Sequence, residues 1–384
     1  MKIDIIAPTL PPKLDGIGDY TARLAERLGE RHRVRVLTTP GDYTSLNGVE
    51  IVPTFDYKHR TSVLNIVDVV AMGRPDCVLL QYQPFSYGRW GLNPFLPTAM
   101  RRIRQASPGT RVSVMVHEPF VPVLDVKHAV MTTWQRWQLW MLGCAADTIF
   151  FSIEPWVEEF RTWFRPDKVR HLPIASNIPV VDGDRATLDV EPGTIVLGLF
   201  GQAHSACLLD RVLASWYALD RDGIPATVLY IGPQVDRVKE SLPGVRLITT
   251  GPLDAVDVSR HLSAIDIFLS PFVDGVSTRR GSMMAALEHG LPIVGTVAHH
   301  TDTILRRAHG ESLLLAPADS SKAFVDQVVR LTVDVDLRRR IGANSREFYR
   351  RHFSWDRIAE AIVDAAEPRP TAAVSLPMKE LALK

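Results

Sequence analysis

The residues best equipped for chemistry lie in short segments that each follow an apolar run. The richest is Ser270–Pro292, SPFVDGVSTRRGSMMAALEHGLP. There an apolar run ends, a loop supplies one carboxylate (Asp274) and two guanidinium groups (Arg279 and Arg280), and Gly281-Ser282 opens a helical pattern. Free N–H groups at a helix start attract anions, and paired arginines hold phosphate oxygens bidentately. Together they describe a diphosphate site, with Ser282 expected as the N-cap and Asp274 as an acceptor for a sugar hydroxyl. The plainer use of the segment is a solvated basic loop capped by serine; its place after an apolar run favours the site.

Three further loops follow apolar runs. Pro11–Tyr20, PPKLDGIGDY, holds Gly16 and Gly18, which let backbone approach a ligand closely. The spacing is not the full GxGxxG of dinucleotide sites, so NAD gains little support over a flexible loop with a helix cap. His117-Glu118 follows Arg111–Val116, an ionisable pair at a strand's carboxyl end, although a single histidine is more often structural. Gln81-Tyr82-Gln83 follows Cys77–Leu80 and offers groups that read hydroxyls. Phe200–His204, with Gly201, is the last of these loops. His299-His300 lack a third ligand at metal spacing and read as a polar turn.

The elements that must position these loops alternate short apolar runs with longer amphipathic ones, the pattern of βαβ units and parallel sheets. Ile3–Ala7, Val34–Thr38, Cys77–Gln81, Arg111–Val116, Thr148–Ser152 and Val169–Leu172 read as strands of a domain spanning residues 1–180. Pro8–Asp19 reads as a loop and Tyr20–Glu30 as a helix. Residues 181–193 are rich in Asp, Gly and Pro without apolar periodicity and read as a linker. The alternation restarts over residues 194–355 with strands Ile195–Phe200, Ala226–Ile231, Arg246–Thr249, Ile265–Leu269 and Pro292–Gly295. Helices are expected at Leu208–Asp220, Ser282–His289 and Ala323–Leu331. A closing helix over 356–367 is expected to pack back on the first domain, and the tail 368–384 to be loosely ordered. Open doubly wound sheets bind ligands beyond the carboxyl ends of their strands, so two such domains place these loops across a cleft.

Composition agrees with an enzyme of this kind. A formal charge of +1 across 384 residues excludes nucleic-acid binding by bulk charge. Cys77, Cys144 and Cys207 are odd in number and far apart, which reads as reduced thiols rather than a disulfide framework or zinc site. The opening MKIDIIAPTLPP is broken too early by proline for a signal peptide, and no run spans a bilayer. The expected location is the cytoplasm, with peripheral contact at the inner face of the membrane left open. Trp134, Trp137 and Trp140 recur every three residues on a helical pattern. Core packing or a partner surface is the favoured use, a membrane interface the alternative.

Up to about Trp355 the chain resembles the large group of retaining, nucleotide-sugar-dependent GT-B glycosyltransferases of the family 4-like kind, which includes bacterial mannosyl- and glucosyltransferases. The resemblance rests on the Gly16 loop, the His117-Glu118 turn, Phe200-Gly201, Ile231-Gly232, Thr250-Gly251-Pro252-Leu253, Ala264–Pro271, His289–Val294 and Phe353-Ser354-Trp355, all in order. It implies an α/β fold with two Rossmann-like domains facing a central cleft. It implies a nucleotide-diphosphate-sugar donor, its nucleoside near Thr250, Gly251, Pro252 and Leu253 and its diphosphate near Gly16, Gly201, Arg279, Arg280, Gly281 and Ser282. His117 and Asp274 are implied to act on the transferring sugar. Gln81, Tyr82, Gln83 and Glu118 are expected on the acceptor side, facing a carbohydrate, glycolipid or small-molecule acceptor. No metal or other cofactor is implied, because basic side chains and a helix start neutralise the leaving diphosphate.

Three departures from the family pattern stand out. The Arg and Lys that usually follow the FG turn are Gln202 and, approximately, Ser205 or Cys207. The family's E-x7-E begins at Asp274 but reaches Ser282, whereas counting back from Gly290 reaches Ala285. An insertion around Thr278–Gly281 accounts for the offset and brings Arg279 and Arg280, which replace the missing basic pair, Arg280 being the principal phosphate ligand. Glu288 is a remote substitute for the lost second acid. The expected reaction is glycosyl transfer with retention; a catalytically inactive GT-B subunit and a nucleotide-sugar epimerase are the alternatives.

Overall fold

A computed structural model describes residues 1–13, 15–56, 59–181 and 188–367. Most of the expected linker and the expected loose tail, residues 182–187 and 368–384, lie outside the described residues.

The strands form two parallel sheets. The first contains β1 (Lys2–Ile6), β2 (Arg33–Thr38), β3 (Val49–Pro53), β4 (Cys77–Tyr82), β5 (Arg111–Val116), β6 (Thr148–Phe151) and β7 (Val169–His171), in the order β3-β2-β1-β4-β5-β6-β7. The second contains β8 (Ile195–Phe200), β9 (Ala226–Ile231), β10 (Leu247–Thr249), β11 (Ile267–Ser270), β12 (Ile293–Val297) and β13 (Leu314–Pro317), in the order β10-β9-β8-β11-β12-β13. Helices cover both faces, so a central strand such as β4 is buried at every residue and reads as an unbroken apolar run. Two strands escaped the sequence pattern. β3 is a half-exposed edge strand, and β13 is a four-residue run ending in proline. Neither is long or periodic enough to stand out.

Each sheet reverses its winding direction between its first strand and the strand beside it. Those positions are β1/β4 and β8/β11. A crevice opens at the carboxyl ends of strands where the winding reverses, because the two following loops turn to opposite faces of the sheet. The Gly16 segment follows β1, Gly201 follows β8, and the Asp274 loop follows β11. The chain's glycines and arginines thus meet at its two switch points.

Two helix starts differ from expectation. The first helix runs Gly16–Gly29 and begins earlier because Asp15 caps it, accepting from the Gly18 N–H at 3.2 Å. Gly16 and Gly18 therefore lie in the first turn rather than in a loop. The helix after β11 runs Gly281–Glu288 with Arg280, not Ser282, at the N-cap, and no side chain caps it. Its first amides are left to an outside acceptor.

The last described helix, Trp355–Ala366, returns to the first sheet. Ile358 and Ile362 pack with Ile3, Ile5 and Leu24, and Asp356 pairs with Arg27. Trp355 donates its indole N–H to the Ser176 carbonyl at 2.9 Å. Truncating a buried isoleucine removes transfer energy and leaves a cavity, so Ile362→Ala is expected to cost about 2 to 4 kcal/mol in urea denaturation. An unchanged midpoint would show that the helix adds nothing to the first domain.

Candidate functional site

Between the two switch points lies a cleft cavity of about 340 Å³. Gly16, Gly201, Arg279, Arg280, Gly281 and Ser282, the whole expected diphosphate set, line it together with Asp19, Asn177, Gln202, His204 and Phe272 among others. Two of its glycines are not demanded by the fold. A Cβ at Gly16 would meet nothing within 4 Å, and one at Gly281 only Ile174 at 3.9 Å. Gly201 differs, since its φ of +98° is a backbone conformation that other residues adopt only under strain. The amides of Gly281 and Ser282 precede Met283, whose N–H finds the Arg280 carbonyl at 3.1 Å.

Asp274 organises the basic wall. Its carboxylate pairs with Arg280, receives Arg279 at 3.0 Å and lies 3.3 Å from His300 Nδ1. Burial alone would raise its pKa, but the His300 hydrogen bond and the charges of Arg280 and Arg279 hold it well below the usual carboxylate range. Arg280 lies with its guanidinium 3.5 Å from the Phe272 ring centre. Burial pushes its pKa down to about 10 against the pull of Asp274, which leaves it a cation at neutral pH. Arg279 sits 5.2 Å from the Trp156 ring centre and crosses the cleft to Glu118 at 3.4 Å. On the opposite wall Asp19 has a raised pKa, through burial first and neighbouring Asp15 second.

A second, buried network fixes the arginine loop from behind. Asp302, wholly buried, accepts the Thr278 N–H at 2.7 Å and the Glu154 N–H at 2.6 Å. The Thr278 hydroxyl donates to the Ser152 carbonyl at 2.7 Å and stands 3.0 Å from His171 Nε2. The Thr278 carbonyl accepts from the Ile174 N–H at 3.0 Å. Ser152, Glu154 and His171 follow or end strands of the first sheet, so both domains hold the residue preceding Arg279.

The expected acceptor residues divide. Gln83 and Glu118 lie 3.4 Å apart outside the cavity lining, and Glu118 reaches the cleft through its pair with Arg279. Gln81 and Tyr82 are fully buried and do not face it, a correction to their reading as hydroxyl readers. Their position on β4 turns them inward: Gln81 Oε1 meets His117 Nε2 at 2.7 Å, and the Tyr82 hydroxyl accepts from Gln138 at 3.1 Å. His117 is not among the cavity-lining residues. It packs edge-on to Tyr20, with ring centres 5.2 Å apart, and burial pushes its pKa down to about 4. Thr250, Gly251, Pro252 and Leu253 also lie outside the cavity, after β10, two strands from β8 on the same edge of the sheet. Glu288 hydrogen-bonds Ser176 and Tyr349 and does not line the cavity, which removes it as a stand-in for the second acid.

Two residues of the site carry no sequence signal: Asn177, which donates to the Gly16 carbonyl at 3.1 Å, and Asp302. His204 and His300 stand out in the sequence only as part of the loop Phe200–His204 and of a polar turn. Among the described residues no group of three or more His, Cys, Asp or Glu is arranged to hold a metal ion.

With this geometry in view, known proteins can be compared. Residues 195–334 match the family described as Glycosyl transferases group 1. No curated protein matches the sequence. Among solved structures, sucrose-phosphate synthase from Thermosynechococcus elongatus is similar at a TM-score of 0.71 and 17% identity, over 95% of this chain and 98% of that one. The fold is GT-B. The Anabaena protein HepE, solved with UDP and glucose, shares this GT-B architecture at a TM-score of 0.64 and 13% identity, over 95% of this chain and 98% of that one. WaaG, a glycosyltransferase involved in lipopolysaccharide biosynthesis, aligns at 0.64 and 13% over 94% and 98%.

Two measurements test this arrangement. His117 binds a proton less readily when folded, so the unfolded chain holds more protons between about pH 4 and 6.5, and stability falls as pH falls through that window. His117→Gln is expected to flatten this slope by on the order of 2 kcal/mol over the window, read as denaturant midpoint against pH. An identical slope in the variant would show that His117 titrates normally. Asp302→Ala leaves two buried amides unpaired, for an expected loss of about 2 to 5 kcal/mol in urea denaturation.

Proposed function

We propose that this GT-B protein is a glycosyltransferase that moves a sugar from a nucleotide-diphosphate-sugar to an acceptor hydroxyl with retained configuration and without a metal. The observation that carries the reading is the cleft cavity, where a basic pair and an uncapped helix start converge with two glycines whose missing side chains leave space rather than serve packing. The match to Glycosyl transferases group 1 and the UDP and UDP-glucose complexes of HepE support a nucleotide-sugar donor.

The donor diphosphate lies against the Gly281 and Ser282 amides with Arg280 and Arg279 on its oxygens, and the nucleoside runs along the sheet edge towards Thr250–Leu253. A carboxylate offers about four acceptor sites, so Asp274 still has room for one sugar hydroxyl beside its three basic partners. As the bond from the anomeric carbon to the diphosphate breaks, the acceptor oxygen forms a bond on the same face. The hydroxyl proton passes to the departing diphosphate oxygen. Charge growing there is met by Arg280 and the helix amides, fixed beforehand by Asp274 and Asp302. His117 stays neutral at physiological pH and, lying outside the cavity, acts on the sugar side only by holding Tyr20 in place. Gln83 and Glu118 border the acceptor path, for a carbohydrate, glycolipid or small-molecule acceptor.

Calorimetric titration with UDP-, GDP-, ADP- and TDP-sugars tests the donor site. One of them is expected to bind, with Arg280→Ala weakening it about tenfold to a hundredfold through loss of charged hydrogen bonds. Gly16→Ala is expected to weaken it while leaving the melting temperature unchanged or slightly raised. If no nucleotide sugar binds, or Arg280→Ala binds as tightly as the parent, the donor site is wrong. Binding without nucleoside diphosphate release in the presence of varied acceptors would instead mark an inactive binding subunit.

A further inference from the structure

The helix Val126–Ala145 exposes the wrong face for one bathed in water. Its inward side includes Gln135 and Gln138, both fully buried, beside Leu139 and Leu142. Its outward stripe reads Val126, Val130, Thr133, Trp137, Trp140 and Cys144, spaced three or four apart and so aligned along one line. Val126 is 82% exposed, and Trp137 and Trp140 are each 45% exposed. A solvent-facing stripe normally carries charge. The tryptophans are therefore neither core nor decoration.

The apolar surface continues beyond the helix. Val123 and Leu124 are exposed just before it, and Phe85 and Trp90 are exposed beside it. Trp90 holds a φ of +59°, an uncommon conformation for a bulky residue. The buried glutamines maintain it: Gln135 donates to the Trp90 carbonyl at 3.1 Å and Gln138 to the Gly91 carbonyl at 3.2 Å. Trp134 donates to that same Trp90 carbonyl at 3.0 Å and stacks on its ring. The fold thus spends buried amides on keeping an aromatic ring at the surface.

The charges carried by the two helices of this surface are of one sign. Neither Val126–Ala145 nor the adjoining helix Phe95–Ala106 contains an aspartate or glutamate. The second helix exposes Arg101 and Arg102, while Arg89 and Lys127 flank the Trp90 ring at 5.5 and 6.0 Å. Acids flank the helix at its ends, where each is paired: Asp125 caps it and binds His128 at 2.8 Å, and Asp147 binds Arg104 at 3.2 Å. An aliphatic stripe with tryptophans and cations at its border fits the headgroup boundary of an anionic bilayer. A second copy fits poorly, because two such faces would oppose like charges across a twofold axis. We propose that this face docks on an anionic lipid surface, with the helix lying in its plane. Phe85 follows Gln83, and the loop before the helix follows Glu118, so docking brings the strand ends that carry Gln83 and Glu118 beside the bilayer. The inference does not depend on the transfer reaction proposed above.

Vesicle flotation of the full chain tests it. The protein is expected to float with phosphatidylglycerol–phosphatidylcholine vesicles, less at high salt, and far less with phosphatidylcholine alone. Trp137→Ser with Trp140→Ser is expected to lower partitioning about tenfold or more, from the apolar area withdrawn from the interface. Arg101→Gln with Arg102→Gln is expected to lower it on anionic vesicles only. These substitutions are on exposed positions, and an unchanged melting curve confirms intact folding. The proposal is overturned if the parent does not float, or if the tryptophan variant floats equally well. It is also overturned if light scattering shows a dimer lost in the tryptophan variant while vesicles bind neither protein.

Discussion

A carboxylate with no access to water ties the two domains and the basic loop into one unit. Asp302 could not remain buried and charged without donors, and the donors it has are backbone amides, one in each domain. One of them, that of Thr278, immediately precedes the two arginines of the cleft. The Thr278 hydroxyl and carbonyl are then spent on Ser152 and Ile174 of the first domain. The loop carrying Arg279 and Arg280 therefore has its base set by contacts across the domain boundary, and a relative shift of the domains would strand several buried polar groups together. That penalty is what makes the geometry of the cleft a property of the whole chain.

Within the cleft the same logic governs charge. Asp274 neutralises much of what Arg279 and Arg280 bring, so the site is not an open cationic hole that draws any anion. Its two guanidinium groups are held in set positions, one against Phe272 and one against Trp156, which is what the proposed diphosphate site requires. Prepositioned donors lose little freedom when a ligand arrives, and they cost nothing further when charge develops on a leaving group. Arg279 and Arg280 follow β11, the neighbour of β8, so their positive charge sits at the same switch point as Gly201.

The surface built around Val126–Ala145 follows from a related trade. Buried glutamines in that helix donate to the carbonyls of residues 90 and 91, and this holds the turn that presents Trp90 outward. A polar core contact and an apolar exterior are thus two sides of one arrangement, placed at the strand ends that carry Gln83 and Glu118.

Alternating apolar runs were enough to establish two parallel α/β domains, because strands covered on both faces must be apolar throughout and helices between them must be amphipathic. Gly16, Gly201 and Arg279–Ser282 were marked in the sequence by residue type after an apolar run, although Gly16 begins a helix rather than lying in a loop. Tertiary structure alone decided which of these residues meet. It turned Gln81 and Tyr82 inward, because alternation along β4 is invisible in a strand buried on both faces. It placed Glu288 against Ser176 and Tyr349, and it moved the helix cap from Ser282 to Arg280. Asp302, His300 and Asn177 act only through partners distant in the chain, and no spacing in a sequence encodes such a contact. The tryptophans mark the same limit: their period of three is read directly, but only the packing of the helix determines that two of them face outward.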